Sequence, residues 1–111
     1  MNYQIHITGK AEQDITEAAD YIEFQLMNPE AANGLFDKVE AEINTLSSMP
    51  QKHQLVDDPV LSTIGLRFIL INNYIAFYTI DESKKAVHII RFLYKKRNWM
   101  QILKREPILF V

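Results

Sequence analysis

Leu66-Arg67-Phe68-Ile69-Leu70-Ile71-Asn72-Asn73-Tyr74-Ile75-Ala76-Phe77-Tyr78-Thr79-Ile80 is the stretch on which the fold turns. Two apolar runs rich in β-branched and aromatic residues, Leu66–Ile71 and Tyr74–Ile80, are separated by Asn72-Asn73. Asn tolerates the positive φ that a tight hairpin turn needs, so the runs read as two antiparallel strands. A second turn around Asp81–Lys85 leads into a third strand, Val87–Tyr94. There Val87, Ile89, Arg91 and Leu93 share one face, and His88, Ile90, Phe92 and Tyr94 the other. Both faces are largely apolar, which predicts a central strand or one covered on both sides. Asn98–Leu103 then reads as a short turn of helix.

Upstream, Tyr3, Ile5 and Ile7 alternate with polar residues as a short half-buried strand. Thr8 or Gly9 can cap a helix after it. Ala11, Ile15, Ala18, Ile22 and Leu26 recur with helical spacing, while Glu12, Asp14, Glu17, Asp20 and Glu23 fall elsewhere. This predicts an amphipathic helix over residues 10–27. Asn28-Pro29-Glu30 restarts the chain, with a favoured N-cap, Pro at the first helical position and an acid in the first turn. Ala32, Leu35, Phe36, Val39, Ile43 and Leu46 form a second stripe that ends at Ser47-Ser48-Met49-Pro50. So short a connection makes an antiparallel helical hairpin. Residues 50–64 read as a loop. The order is β-α-α-β-β-β, an α+β fold with a helical hairpin packed on an antiparallel sheet.

With 111 residues and 13.0 kDa, one domain spanning residues 1–111 is expected. The chain has no Cys, which excludes disulfides, thiol catalysis and thiolate metal sites within it. Its longest apolar runs fall far short of the ~20 residues that span a bilayer. The opening Met1–Ile7 lacks the basic and apolar regions of a signal peptide, so a cytoplasmic protein without a membrane partner is expected. Charge is unevenly divided. Residues 1–64 carry three bases against eleven acids and residues 65–111 nine bases against three acids, that is −8 and +6. Six bases lie between Arg91 and Arg105 with no acid among them. Such a split can present a localised positive face.

Catalytic constellations are scarce. His6, His53 and His88 lack metal-ligand spacing, and Asp57-Asp58 reads as a solvated turn. The three Gly residues form no phosphate cradle, and no cofactor is expected. What stands out is Arg91-Phe92-Leu93-Tyr94-Lys95-Lys96-Arg97-Asn98-Trp99, where bases interleave with aromatics. Such a stretch can hold phosphate, stack on bases or dock an acidic peptide. Phe92 and Trp99 read mainly as stability residues. Arg91 sits among inward-facing neighbours, so its guanidinium must reach a groove edge, an acid from the helices or a partner. If that basic surface is not the functional one, the Glu12–Glu23 face of the hairpin is the next candidate.

The element order, the segment Asn73–Asp81, and Arg91–Trp99 followed by Ile102-Leu103 together resemble the RelE/ParE superfamily. These are toxins of bacterial type II toxin–antitoxin modules, often labelled plasmid stabilisation proteins. The resemblance covers residues 3–103. It implies growth inhibition, a cognate antitoxin as partner, and contact with operator DNA only through that antitoxin. In the RelE branch it implies a ribosome-dependent messenger-RNA endoribonuclease built on dispersed bases and a late Tyr or His. In the ParE branch it implies poisoning of DNA gyrase without that catalytic set. By position, the strand Arg of the ribonuclease branch falls at Tyr74-Ile75, the Arg after the last strand at Arg97, and the late Tyr near Leu103, with Tyr94 as a substitute.

Arg67, Arg91, Tyr94 and Arg97 are therefore the catalytic candidates of a ribonuclease. Arg91, Lys95, Lys96, Arg97 and Trp99 are the candidates for target or antitoxin binding. Cleavage needs a base for the 2′-hydroxyl and an acid for the leaving oxygen, and no such pair stands out. A ribosome-binding enzyme is expected to be basic overall, whereas the pI is about 5.9. The sequence leans to the ParE-like branch, with the RelE-like ribonuclease and a non-toxic peptide-binding module as alternatives.

Overall fold

A computed structural model describes residues 2–109. Thr8 starts the first helix as expected: its Oγ1 accepts the Ala11 N–H at 3.1 Å and donates to the Ile90 carbonyl at 3.1 Å. Helix α1, Gly9–Asp20, buries Ala11, Ile15, Ala18 and Ala19. The periodicity predicts one helix to residue 27. Instead α1 passes into a wider π-helical turn, Tyr21–Gln25, and Met27 closes it in the left-handed region with φ 53°. Because the wider turn rotates the next side chains out of phase, Leu26 is exposed rather than part of the stripe. The Asn28 side chain then accepts the Ala31 N–H at 3.1 Å, and Pro29 opens α2, Pro29–Asn44. Phe36, expected in the second stripe, is 44% exposed, beside the buried row Ala32, Leu35, Val39 and Ile43.

The expected loop over residues 50–64 contains a 3-10 turn, Pro50–Lys52, and a short helix α3, Pro59–Thr63. Asp58 Oδ2 accepts the N–H groups of Val60 and Leu61 at 3.1 and 3.0 Å, and Gly65 ends the element at φ 79°. The Leu61 N–H and then the Lys104 ammonium hold the Asp58 carboxyl below its ordinary range. Proline just inside the start and glycine past the end are helix signals in their own right.

Strands β2 (Arg67–Ile71), β3 (Tyr74–Asp81) and β4 (Ala86–Tyr94) form the expected antiparallel meander, with Asn72 at φ 54° in the first turn. Strand β1 (Gln4–Ile7) joins β4 in parallel, and the sheet order is β1-β4-β3-β2. Strand β4 is thus interior to the sheet and covered on both faces. The hairpin packs Ile15, Leu35 and Val39 against Tyr78, Val87 and Ile89 on one side. On the other, Leu61 of α3 and Leu103 of α4 (Trp99–Lys104) join Phe77, Ile90 and Leu93. Trp99 lies 5.4 Å from the Phe77 ring, between centroids.

Strict alternation on β4 fails at one place. Phe77 pairs with Arg91 but Tyr78 pairs with Ile89, so Ile90 is an extra residue, a β-bulge. Beyond it Phe92, not Arg91, joins the hairpin-side core with Val87 and Ile89. Arg91 is turned instead toward α1. Its Nε and Nη2 donate to Asp14 Oδ2 and Oδ1 at 2.6 and 3.0 Å, and Nη1 donates to Glu106 Oε2 at 3.3 Å. The Phe92 N–H also donates to Asp14 Oδ2, at 3.0 Å. Asp14 and Arg91 are each only 7% exposed. The hydrogen bonds to Asp14 hold the Arg91 pKa above its ordinary value against the opposing effect of burial.

A buried pair of this kind adds little net stability over an apolar replacement, but removing one partner strands a charge. Asp14→Ala or Arg91→Ala should each cost about 3–5 kcal/mol in urea denaturation, with only part of it recovered in an Asp14→Leu/Arg91→Met double variant, because the Phe92 N–H and Glu106 then lose their partners. Single losses below about 1 kcal/mol would show that the pair does not hold α1 in place. A second expectation concerns His53, whose ring stands edge-on to Tyr78 with centroids 6.4 Å apart and whose Nε2 is buried without a hydrogen-bond partner. Burial, then Lys52, push its pKa down, with Glu42 opposing. The unfolded chain therefore takes up this proton first as pH falls below ~6.5. Stability should drop through that window, and His53→Phe should remove that part of the drop.

Candidate functional site

Strand β1 accompanies β4 only from Ala86 to Ile89, so the far end of β4 runs on without that neighbour. Between this end and the helical hairpin lies an open trough of about 1050 Å³. Its floor is aromatic. Tyr74 of β3 stacks on Phe92 with centroids 5.0 Å apart and meets Tyr94 edge-on at 5.7 Å. Tyr21 from the π turn also lines the trough, as do Asn72, Asn73 and Arg97. The hairpin wall contributes Ala18, Ile22 and Leu35 together with Asp14 and Glu17.

The turn after β4 is fixed by its backbone. The Lys95 N–H donates to the Asn73 carbonyl at 2.9 Å, the Arg97 N–H to the Tyr94 carbonyl at 3.0 Å, and the Trp99 N–H to the Arg97 carbonyl at 2.8 Å. Lys95, Lys96 and Arg97 are thereby left exposed on a fixed turn. The trough is acidic along the hairpin and cationic at the turn, a polarity suited to a segment with charges of both signs. Burial raises the Tyr74 pKa, and the nearby Tyr21 and Tyr94 hydroxyls add to it. That hydroxyl is a hydrogen-bond donor, not a ready base.

The structure brings two of the sequence candidates, Tyr94 and Arg97, into one trough and sets Lys95 and Lys96 beside it. The others lie apart. Arg67 is on β2, where its Nη1 donates to the carbonyls of Gln51 and His53 at 3.3 and 2.6 Å. Arg91 reaches an acid from the helices, one of the three outcomes open to it. Trp99 is half-buried against the second core. Tyr74 occupies one of the two positions where the resemblance puts a strand Arg. The other, Ile75, is buried, as is Leu103.

Four contributors escape the sequence reading. Asp14 falls there among the solvated acids, although it stands three residues after Ala11 and four before Ala18, inside the apolar stripe. That spacing, taken with an inward Arg, is signal enough. Asn72 and Asn73 read as turn residues only. Tyr21 carries no signal, because its place depends on the π turn.

The sequence matches the family described as ParE toxin of type II toxin-antitoxin system, parDE, over residues 5–99. No curated protein matches the chain. Among solved structures, the fold is similar to that of the chromosomal ParDE toxin–antitoxin system from P. aeruginosa, with TM-score 0.67 and 18% identity over 83% of this chain and 95% of that one. It is also similar to a mutant E. coli toxin RelE in the free state, with TM-score 0.62 and 12% identity over 100% of both chains. The toxin–antitoxin complex RelBE2 from Mycobacterium tuberculosis gives TM-score 0.59 and 19% identity over 85% of this chain and 99% of that one. The family match spans most of the chain, and these neighbours have the same fold. The chain belongs to the ParE toxin family of type II toxin–antitoxin systems.

Proposed function

We propose that the whole chain acts in the cytoplasm as one toxin domain that arrests growth by inhibiting DNA gyrase, and that a cognate antitoxin neutralises it by filling the aromatic trough. The choice of gyrase over ribosomal messenger RNA rests on the chemistry of that trough. Its carboxylates are engaged, Asp14 by Arg91 and the Phe92 N–H and Glu17 by the Gln13 side chain at 3.0 Å. Tyr74 titrates above its ordinary value, which opposes a role as base. Among the described residues, Arg97 is the one cation lining the trough. A lone guanidinium can hold a phosphate, but strand cleavage also needs groups that take and give a proton.

Lys95, Lys96 and Arg97 are the contact residues in this reading, and Arg91 serves them by holding β4 against α1. Trp99 anchors the far side of the turn. At about 1050 Å³ the open trough lies at the upper end of the ~300–1,000 Å³ that small-ligand pockets hold. It suits a polypeptide segment that orders on binding, and the similar RelBE2 structure is that of a toxin–antitoxin complex.

Expression of the chain alone in bacteria should stop growth, and co-expression of the cognate antitoxin should restore it. Purified protein should inhibit gyrase in a supercoiling assay. Messenger-RNA cleavage in a programmed ribosome, abolished by Arg97→Ala, would reverse the target. Normal growth at high soluble expression would leave a peptide-binding module instead. The triple variant Lys95→Ala/Lys96→Ala/Arg97→Ala should melt within a few degrees of the parent, because exposed side chains carry little stability, yet lose toxicity. Full toxicity of that folded variant would place the contact surface elsewhere.

A further inference from the structure

The π turn at the end of α1 is unusual in contributing no buried residue to the fold. Phe24 and Met27 in and after it are 66% and 84% exposed, and neither lines the trough. A large aromatic and a Met held in water on an irregular turn gain nothing from the core, and side chains of these types are enriched at protein interfaces. The turn is wider than an α-helix, a rare form that is frequent at functional sites. The chain around it is acidic: Asp20, Glu23 and Glu30 lie within seven residues of both side chains in sequence, and no Lys or Arg occurs from Ala11 to Asp37. That field rejects nucleic acid phosphates and anionic lipid headgroups, and selects a basic protein surface.

We propose that this tip of the hairpin is a docking surface for the inhibited target protein, with Phe24 and Met27 entering an apolar cleft rimmed by Lys or Arg. The assignment rests on the toxin reading above. The trough touches the tip at Leu26 and Asn28 and the basic turn at Arg97. An antitoxin segment lying in the trough would therefore crowd both contact surfaces at once. This gives neutralisation a steric basis without requiring Phe24 or Met27 to touch the antitoxin.

The test uses the full chain with the double substitution Phe24→Ser/Met27→Ser, and Leu70→Ser as a control at an exposed apolar residue on the sheet. The double variant should keep its melting temperature and still co-purify with antitoxin. It should lose growth arrest, with inhibition of the target weakened ~10–100-fold, the size expected from truncating two interface anchors. Leu70→Ser should behave as the parent. Unchanged toxicity of the double variant overturns the proposal. So does loss of antitoxin binding, which assigns the tip to the antitoxin, and so does a dimer of the parent in gel filtration that the variant cannot form. If the parent chain itself never arrests growth, the toxin reading fails separately. A synthetic amphipathic Leu–Lys helical peptide in calorimetric titration then decides whether the tip docks basic partners. Binding at least ~10-fold weaker in the double variant alone supports it, and equal binding by all three proteins overturns it.

Discussion

The Asp14 carboxylate takes two hydrogen bonds from Arg91 and one from the Phe92 N–H, and through Arg91 it is tied to Glu106. Where β1 stops pairing at Ile89, the N–H groups of β4 lose their strand partner on that side. Asp14 supplies the replacement acceptor. A buried backbone donor without one would cost about as much as a lost hydrogen bond. The same carboxylate fixes how far α1 is rotated about its axis and how far along β4 it lies, since two nitrogens of one guanidinium and one amide must all reach it.

The trough depends on that placement. The bulge at Ile90 shifts the alternation so that Phe92, rather than a charged side chain, faces the hairpin. Phe92 then supplies the surface on which Tyr74 stacks. With α1 held at the bulge, a gap remains between its end and the end of β4, lined by Tyr21, Tyr74, Phe92 and Tyr94. Charge is distributed by the same geometry. The acids of the hairpin gather on one wall and beyond it, and the bases after Tyr94 gather on the turn at the other end. The near cancellation to −2 in the whole chain thus conceals two opposed surfaces a trough apart.

Local signals carry most of the architecture. Thr8, Asn28-Pro29 and Asn72-Asn73 mark element ends with side chains that satisfy backbone groups or accept positive φ, and each does so in the structure. What escapes is of two kinds. Asp58-Pro59 with Gly65 is a legible helix signal, hidden because the five-residue α3 has too little periodicity to announce itself among polar neighbours. The bulge and the π turn are not legible at all. Each inserts one residue's worth of phase into an otherwise regular pattern, and the cause lies in tertiary contacts that a periodic reading cannot contain. The errors at Arg91 and Leu26 are of this second sort, where counting assigns a side chain to the wrong face; Phe36 instead sits at the edge of a regular buried row, Ala32, Leu35, Val39 and Ile43. At the site, the basic run is visible from residue types alone. The trough is not, because Tyr21, Tyr74 and Tyr94 come from three elements.

Such a division also explains how one scaffold can serve different targets. Shape here depends on an ion pair, a bulge and two apolar layers, none of which requires a particular chemistry in the trough. The positions where the resemblance would put catalytic groups of a ribonuclease hold other side chains here. At Tyr74 a phenol takes the place of a strand base, its proton held more tightly by burial. At Ile75 and Leu103 apolar side chains are buried in the second core instead. A base placed at Ile75 would be a charge stranded in that core, so a single substitution there does not supply one. Under the gyrase proposal, packing has thereby committed this member of the family to recognition by surface contact, where affinity comes from exposed aromatics and fixed charges and not from proton transfer.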